Sequence, residues 1–423
     1  MAVIFPFRAV RSGRQWVAKV ASYPYDIVSS EEARKIAAEN PLSFLRVTKA
    51  EIDLPENVNS YDDRVYEKAK RNFEEQLRTG ILIQDDQPCF YVYCLTMNNQ
   101  EQCGIGACVH AAEFETRRVK QHELTLPEKE ADRTRHIDRL KAQTGPILMA
   151  YRSRESINLR INIIRENPPE YDFMSDNGVS HALWVVRDAE AIRAIEKEFE
   201  TIDALYIADG HHRAAAGMAV ARMIERESGD HGNASAQCSV LAVLFPHDQL
   251  RIRDYNRVVK DLGGLSEQSY LRMIGESFEV APDYRGKSPQ EPREFGMYLR
   301  GRWFRLRPRK GTWQEGDIVG ALDVSILQNN LLGPVLGIHD PRGDARITFV
   351  GGSRGVGELE RMVDSGEYAV AFSLFPPTMD QMMKVADAGM VMPPKSTWFE
   401  PKLRDGILIH VLTDEDQEKS VRG

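Results

Sequence analysis

Leu205-Tyr206-Ile207-Ala208-Asp209-Gly210-His211-His212-Arg213, followed at once by Ala214-Ala215-Ala216-Gly217-Met218-Ala219-Val220, orders the reading of the whole chain. An apolar strand-type run ends in Asp-Gly, and a helix-type pattern begins without a linker. The first N–H groups of such a helix have no partner within it and favour an anion. Gly210 allows the sharp turn that a side chain would obstruct. His211, His212 and Arg213 add donors, and the planar fork of Arg213 suits phosphate. Asp209 supplies a carboxylate of the type that holds Mg²⁺ beside phosphates. The alanines allow the helix to pack closely beneath the turn. The plainer reading makes Asp209 a helix cap with locally satisfied histidines. Cations in the first turn oppose the helix dipole, however, and an anion would offset that cost.

Outward from this turn the chain alternates. RRVKQHE, PILMAY and CSVLAVLF read as strands; PEKEADRTRHIDRLKAQ, AEAIRAIEKEFETI and HHRAAAGMAVARMIERE read as helices. The succession predicts a mixed α/β, or α+β, core. Residues 1–115 read as an N-terminal α+β lobe and 116–260 as the core, with an insertion at about 150–200. Residues 261–423 read as a C-terminal α/β lobe with a hairpin at FGMYLRGRWFRLRP. In the N-terminal lobe Ser29 and Glu32 form a capping box. Helical residues from Tyr61 to Arg78 end at Gly80, a left-handed cap. PCFYVYCLT and EQCGIGACVH, joined by MNNQ, read as a hairpin.

A second polar cluster is Lys120-Gln121-His122-Glu123-Leu124-Thr125, running into a helix with Arg133, Arg135 and His136. Glu123 at a strand end has the chemistry of a general base. Thr125 reads equally well as the cap of that helix, with Glu128 as its partner. Tyr25-Asp26 and Gln143-Thr144-Gly145-Pro146 read as polar turns.

Several motifs do not carry chemistry. TFVGGSRGVGELERMV has a strand, a glycine-rich turn and a helix, but neither dinucleotide nor nucleoside-triphosphate loop spacing. His211-His212 lacks the spacing of a zinc helix motif, and no GxSxG elbow occurs. The methionines of MMKVADAGMVM fit core packing. WFRLRPRK reads as a solvated edge strand with one basic face. Cys89, Cys94, Cys103 and Cys108 lie too far apart for zinc knuckles and, with Cys238, read as free thiols of a reducing cytoplasm.

Composition narrows the function classes. Lys and Arg number 55 against 63 Asp and Glu, a net charge of −8, which argues against a protein built to neutralise nucleic-acid phosphates. No apolar run approaches the roughly 20 residues of a membrane span. Pro6 and Arg8 interrupt any signal-peptide core, so a cytoplasmic location without a membrane partner is expected.

YPYDIVSSEEAR, NPLSFLRV, KQHELT, DRTRHI, AQTGP, LYIADGHHRAAA, LFPHDQLRIRDYNRVV, LDVSILQ and MPPKSTWFEPKL are spread over most of the chain. On these segments the sequence resembles a bacterial family of unknown function related to free serine kinases. The resemblance implies a ParB/sulfiredoxin-like core with large N-terminal and C-terminal additions. It implies a nucleotide partner, ATP or ADP, whose phosphates sit on Gly210, His211, His212 and Arg213. It also implies Mg²⁺ at Asp209 and Glu123 as acceptor of the substrate hydroxyl proton. Lys120, His122, Arg133 and Arg135 become possible contacts for phosphate or for the carboxylate of serine.

The activity implied is phosphoryl transfer to free L-serine, giving O-phosphoserine. Three other readings stand beside it: transfer to another small hydroxyl or amine compound, a nucleotide-binding regulator of ParB-like type, and a zinc hydrolase on His211 and His212.

Overall fold

The Asn98-Asn99 turn shows how local chemistry builds the sheet. Both residues take left-handed backbone, with φ of 53° and 60°, the geometry that joins twisted strands through two residues. Strand Phe90–Met97 thereby folds back on Gln100–His110. The computed structural model describes residues 2–228 and 238–412. They gather into two units, one of residues 2–121, 125–228, 238–250 and 401–412, the other of 122–124 and 251–400.

The first unit is built on a nine-stranded mixed sheet. Eight strands run in the order Val119–Lys120, Leu205–Asp209, Ile147–Tyr151, Ser239–Pro246, Gln100–His110, Phe90–Met97, Ser180–Val186 and Tyr171–Met174. Ile4–Phe5 adds to Gln100–His110. Gln100–His110 pairs with Ser239–Pro246 as well as with Phe90–Met97, so residues on both sides of the expected 115/116 border share one sheet. Ser180–Val186, from the stretch expected as an insertion, extends that sheet.

Helix His211–Ser228 packs Ala214, Met218 and Ala221 into a buried cluster with Ile105, Met149, Ile207 and Val240. Gly217 lies close to the sheet here, since a Cβ on it would meet Val240 Cγ2 at 3.2 Å. A second cluster, including Phe44, Val65, Phe73, Leu140 and Ile409, gathers around helices Asp63–Arg78 and Pro127–Leu140. Arg11 is buried in this unit, bonded to both oxygens of Asp85 at 2.8 and 2.9 Å and to Tyr171 Oη at 2.8 Å.

The Ser29/Glu32 capping box forms at the start of helix Ser30–Ala38. Thr125, by contrast, caps nothing. Leu126 is the N-cap of helix Pro127–Leu140, and the Thr125 hydroxyl donates to Glu130 Oε2 at 3.0 Å. The expected cap is displaced by one residue because Pro127 takes the first helical position, where its missing N–H costs nothing.

The cysteine reading needs correction at one pair. Cys94 and Cys103 are directly opposed on neighbouring strands, with Cα atoms 4.1 Å apart, and are joined as a disulfide. The spacing that is too wide for a zinc knuckle is what a two-residue turn brings face to face. Cys89, Cys108 and Cys238 are buried and take no part in a disulfide among the described residues.

The second unit carries a six-stranded antiparallel sheet, ordered Phe278–Pro282, Arg302–Pro308, Phe295–Leu299, Val370–Leu374, Tyr255–Val259 and Ile347–Gly351. Arg302–Pro308 is therefore no edge strand, because it is paired on both sides. Its exposed arginines explain why it looked like one: Arg302 and Arg307 are exposed, while Trp303, Phe304 and Leu306 between them are buried. The glycine-rich turn joins strand Ile347–Gly351 to helix Gly355–Asp364, as its pattern predicts. Among the described residues no helix is long and apolar enough to cross a membrane.

Candidate active site

Strand Leu205–Asp209 passes straight into helix His211–Ser228. Gly210 makes the turn at φ 93°, a conformation that L side chains rarely adopt. A register shift between Ile207 and Asp209 against strand Ile147–Tyr151 marks a bulge. Such a bulge re-aims the side chains that follow it. Asp209 thus stands at the helix N-terminus with two cations beside it. Arg213 Nη2 lies 3.3 Å from Asp209 Oδ2, and Lys402 Nζ lies 3.2 Å from Asp209 Oδ1. Burial opposes ionisation of Asp209, but the charges of Lys402 and Arg213 outweigh it and hold the carboxyl down at about 2.

That pairing bears on the Mg²⁺ expected at Asp209. Both carboxylate oxygens already face a cation, and a divalent ion there would meet Lys402 and Arg213 as like charges. The residues do not fit a resident Mg²⁺ at Asp209. The arrangement suits an anion, with Asp209 as the group that orders its cations.

The other expected residues divide sharply. Arg213 also donates to Pro146 O at 2.5 Å, which ties the helix start to the Gln143-Thr144-Gly145-Pro146 turn. His212 Nε2 accepts the Leu126 N–H at 3.0 Å, so that ring nitrogen carries no proton. His211 is buried at the same helix start. Arg133 pairs with Asp132 at 2.7 Å and lies over the Tyr25 ring, 4.1 Å from its centre. Arg135 is taken up elsewhere, by Asp63 and by the Tyr66 ring. Lys120 stands beside Tyr206 across the parallel strand pair. His122 and Glu123 fall in the second unit, where the Met392 N–H donates to His122 O at 2.8 Å. His122 Nε2 is 3.1 Å from Thr397 Oγ1.

Arg213 and Arg133 line one narrow cleft of about 20 Å³, room for about one water, with Tyr25, Thr48, Gly145 and Asp405. His136 lies in its wall, bonded to Val47 O at 3.1 Å and kept neutral by burial, which pushes its pKa to about 3. Sequence reasoning passed over Tyr25, Gly145, Lys402 and Asp405. Tyr25 and Gly145 read as turn residues, and Lys402 lay unassigned in MPPKSTWFEPKL. Asp405 gave no signal beyond its proximity to that segment. The return of the chain end explains their arrival. His410–Val411 pairs with Ala142–Gln143, and Asp405 exchanges two backbone hydrogen bonds with Ser22, at 2.9 and 3.1 Å.

A mixed α/β unit with a strand-Asp-Gly-helix turn beside a charged cleft defines the class of protein. The chain belongs to the family described as protein of unknown function (DUF1015), whose model matches residues 4–325. No curated protein matches it. Among solved structures it is similar to free serine kinase in complex with AMP, at 14% identity and TM-score 0.35, covering 70% of this chain and 86% of that one. It is similar to SbnI with a C-terminal truncation from Staphylococcus aureus, at 11% identity and TM-score 0.38, covering 74% and 92%. A conserved hypothetical protein from Pyrococcus furiosus matches at 15% identity and TM-score 0.36, covering 72% and 95%. These likenesses carry no residue role to this chain.

Proposed function

We propose that the protein is a phosphotransferase that moves a phosphoryl group from ATP or ADP to the hydroxyl of free L-serine. The serine oxygen attacks the terminal phosphorus, the bond from that phosphorus to the bridging oxygen breaks, and the shortened nucleotide leaves. Glu123 is assigned the hydroxyl proton, on the family resemblance alone.

The observation that carries the reading is the Asp209-Gly210-His211 turn. It opens a helix of 18 residues and sets Arg213 and Lys402 on either side of one carboxylate. Phosphoryl transfer asks a protein chiefly to position the reactants and to stabilise spread negative charge. Backbone N–H groups at the helix start and two fixed cations offer that stabilisation. Mg²⁺ belongs, in this reading, with the nucleotide phosphates. What it supplies there is charge neutralisation.

The test is a transfer assay with purified protein, γ-labelled ATP or β-labelled ADP, Mg²⁺ and a panel of free amino acids and small alcohols. O-phosphoserine is the expected product. Label on another hydroxyl or amine compound would keep the phosphotransferase and discard serine. Nucleotide binding without transfer to any acceptor would favour a regulator.

A further inference from the structure

We infer that the pocket between the Tyr25-Asp26 turn and helix Pro127–Leu140 binds a small zwitterion of the amino-acid type, its ammonium group on Asp26 and its carboxylate on Lys129. The pocket lies wholly within the first unit and has a volume of about 220 Å³. A single water needs about 10–15 Å³ of such space, so a small metabolite fits. Besides the turn and the helix, three short stretches wall it: Ser30, the segment from Thr48 to Glu51, and Ser60 with Tyr61.

Most charges of the wall are spent within the protein. Lys49 Nζ lies 3.1 Å from Glu51 Oε1, which also accepts the Ser30 hydroxyl at 2.8 Å. Arg133 pairs with Asp132 at 2.7 Å and donates to Thr48 O at 3.3 Å. Two charges are left over. Among the described residues the side chains of Asp26 and Lys129 make no ion pair and no hydrogen bond, and both are exposed. The charge of Asp26 reaches Arg213 without a hydrogen bond between them.

One open anion and one open cation in a single pocket call for a ligand that carries one of each. A phosphate would find Lys129 as its one open cation and would face Asp26 as a like charge. A simple amine would satisfy Asp26 and face Lys129. A neutral sugar would draw both charges away from water with no countercharge in return. A zwitterion meets each of them, and Ser60 and Tyr61 add hydroxyl groups to the same wall. The pocket shares Tyr25, Thr48 and Arg133 with the narrow cleft at Arg213, so it adjoins the helix start as a separate site. This inference goes beyond the phosphotransferase reading and does not rest on it.

The test is equilibrium binding without nucleotide, by calorimetry on the full chain. The ligands are the common L-amino acids, with β-alanine and γ-aminobutyrate to vary the separation of the charges, and inorganic phosphate. Each zwitterion that binds is compared with its counterparts lacking the amino group or lacking the carboxylate. At least one zwitterion is expected to bind, and both its one-charge counterparts at least about tenfold more weakly. Asp26→Asn should weaken the zwitterion about tenfold while leaving the acid counterpart unchanged or tighter. Lys129→Met should weaken it about tenfold while leaving the amine counterpart unchanged or tighter. Both side chains are exposed and unpaired, so neither change should lower the melting temperature.

No zwitterion bound at millimolar concentration, equal binding of the one-charge counterparts, or phosphate bound more tightly than every zwitterion would each overturn the inference. So would unchanged affinity in both variants, which is also what serine bound only at the Asp209 turn would give. Binding that both variants weaken, with no transfer from any nucleotide, upholds this pocket and removes the kinase reading. Transfer to a hydroxyl compound, with no zwitterion bound, does the reverse.

Discussion

Lys402 Nζ lies 3.2 Å from Asp209 Oδ1, although 193 residues separate them in the chain. Lys402 is one of two cations that keep this half-buried carboxyl ionised, and it comes from the segment after residue 400. Lys402→Met should raise the pKa of Asp209, because burial would then be opposed by Arg213 with less help. A carboxyl held low loses its contribution as pH falls through its folded pKa, so removing the cation moves that loss to higher pH. The acid limb of the transfer rate should shift upward in pH in this variant. An unshifted limb would show that Asp209 does not act through its charge.

Asp209→Asn keeps the size of the side chain and removes the charge that orders Arg213 and Lys402. Transfer should fall by a factor equivalent to about 2–4 kcal/mol, mostly in kcat, with the circular dichroism spectrum unchanged. Near-normal turnover in a folded variant would reduce the turn to a helix cap.

Glu123→Gln retains size and most hydrogen bonding while removing the proton acceptor. Turnover should fall about 10²–10⁴-fold with nucleotide affinity retained. Single-turnover and binding measurements separate the two effects. A normal rate would return Glu123 to a structural role beside His122.

Asp405 gives a pH-dependent stability test. Burial pushes its carboxyl up to about 7, against the pull of Arg213 and Arg133 and with the push of Asp26. The folded protein therefore holds a proton that the unfolded chain has already lost above about 4. Stability from this group falls as pH rises from about 4 to about 7, and the whole penalty is present above that. Asp405→Asn should stabilise the ligand-free protein by about 2–4 kcal/mol at pH 8 and by little at pH 4. Urea unfolding at the two values measures the difference. An equal effect at both would contradict the assignment.

Arg11→Met tests the buried ion pair of the first unit. The change leaves Asp85, whose side chain is 3% exposed, with Arg187 as its remaining cation. Destabilisation of about 3–5 kcal/mol is expected, and Arg11→Met with Asp85→Leu should recover much of it. Denaturant midpoints for the single and double variants decide it.

Periodicity, capping and turn chemistry are local, and they were legible in the sequence. The strand and helix around Asp209-Gly210-His211, the Ser29/Glu32 capping box and the Asn98-Asn99 hairpin all follow from residues within a few positions of one another. The anion-ready helix start is local in the same way. Pairing between distant strands is not local. Cys94 faces Cys103 only once the hairpin register is set, and Arg302–Pro308 is interior only because Phe278–Pro282 pairs with its outer side.

The cleft shows the same division. Arg213 announced itself by its place in the first turn of a helix, but its cleft neighbours come from five separated segments. Tyr25 and Gly145 look like turn residues, and Asp405 carries no signal, until the segment around Asp405 pairs with Ser22. The sequence by itself determined the mixed α/β core and the turn at Asp209. The tertiary structure alone decided that Lys402 would neutralise that aspartate and that Asp405 would be buried opposite two arginines. Charge interactions depend on distance and burial, and neither is set by spacing along the chain.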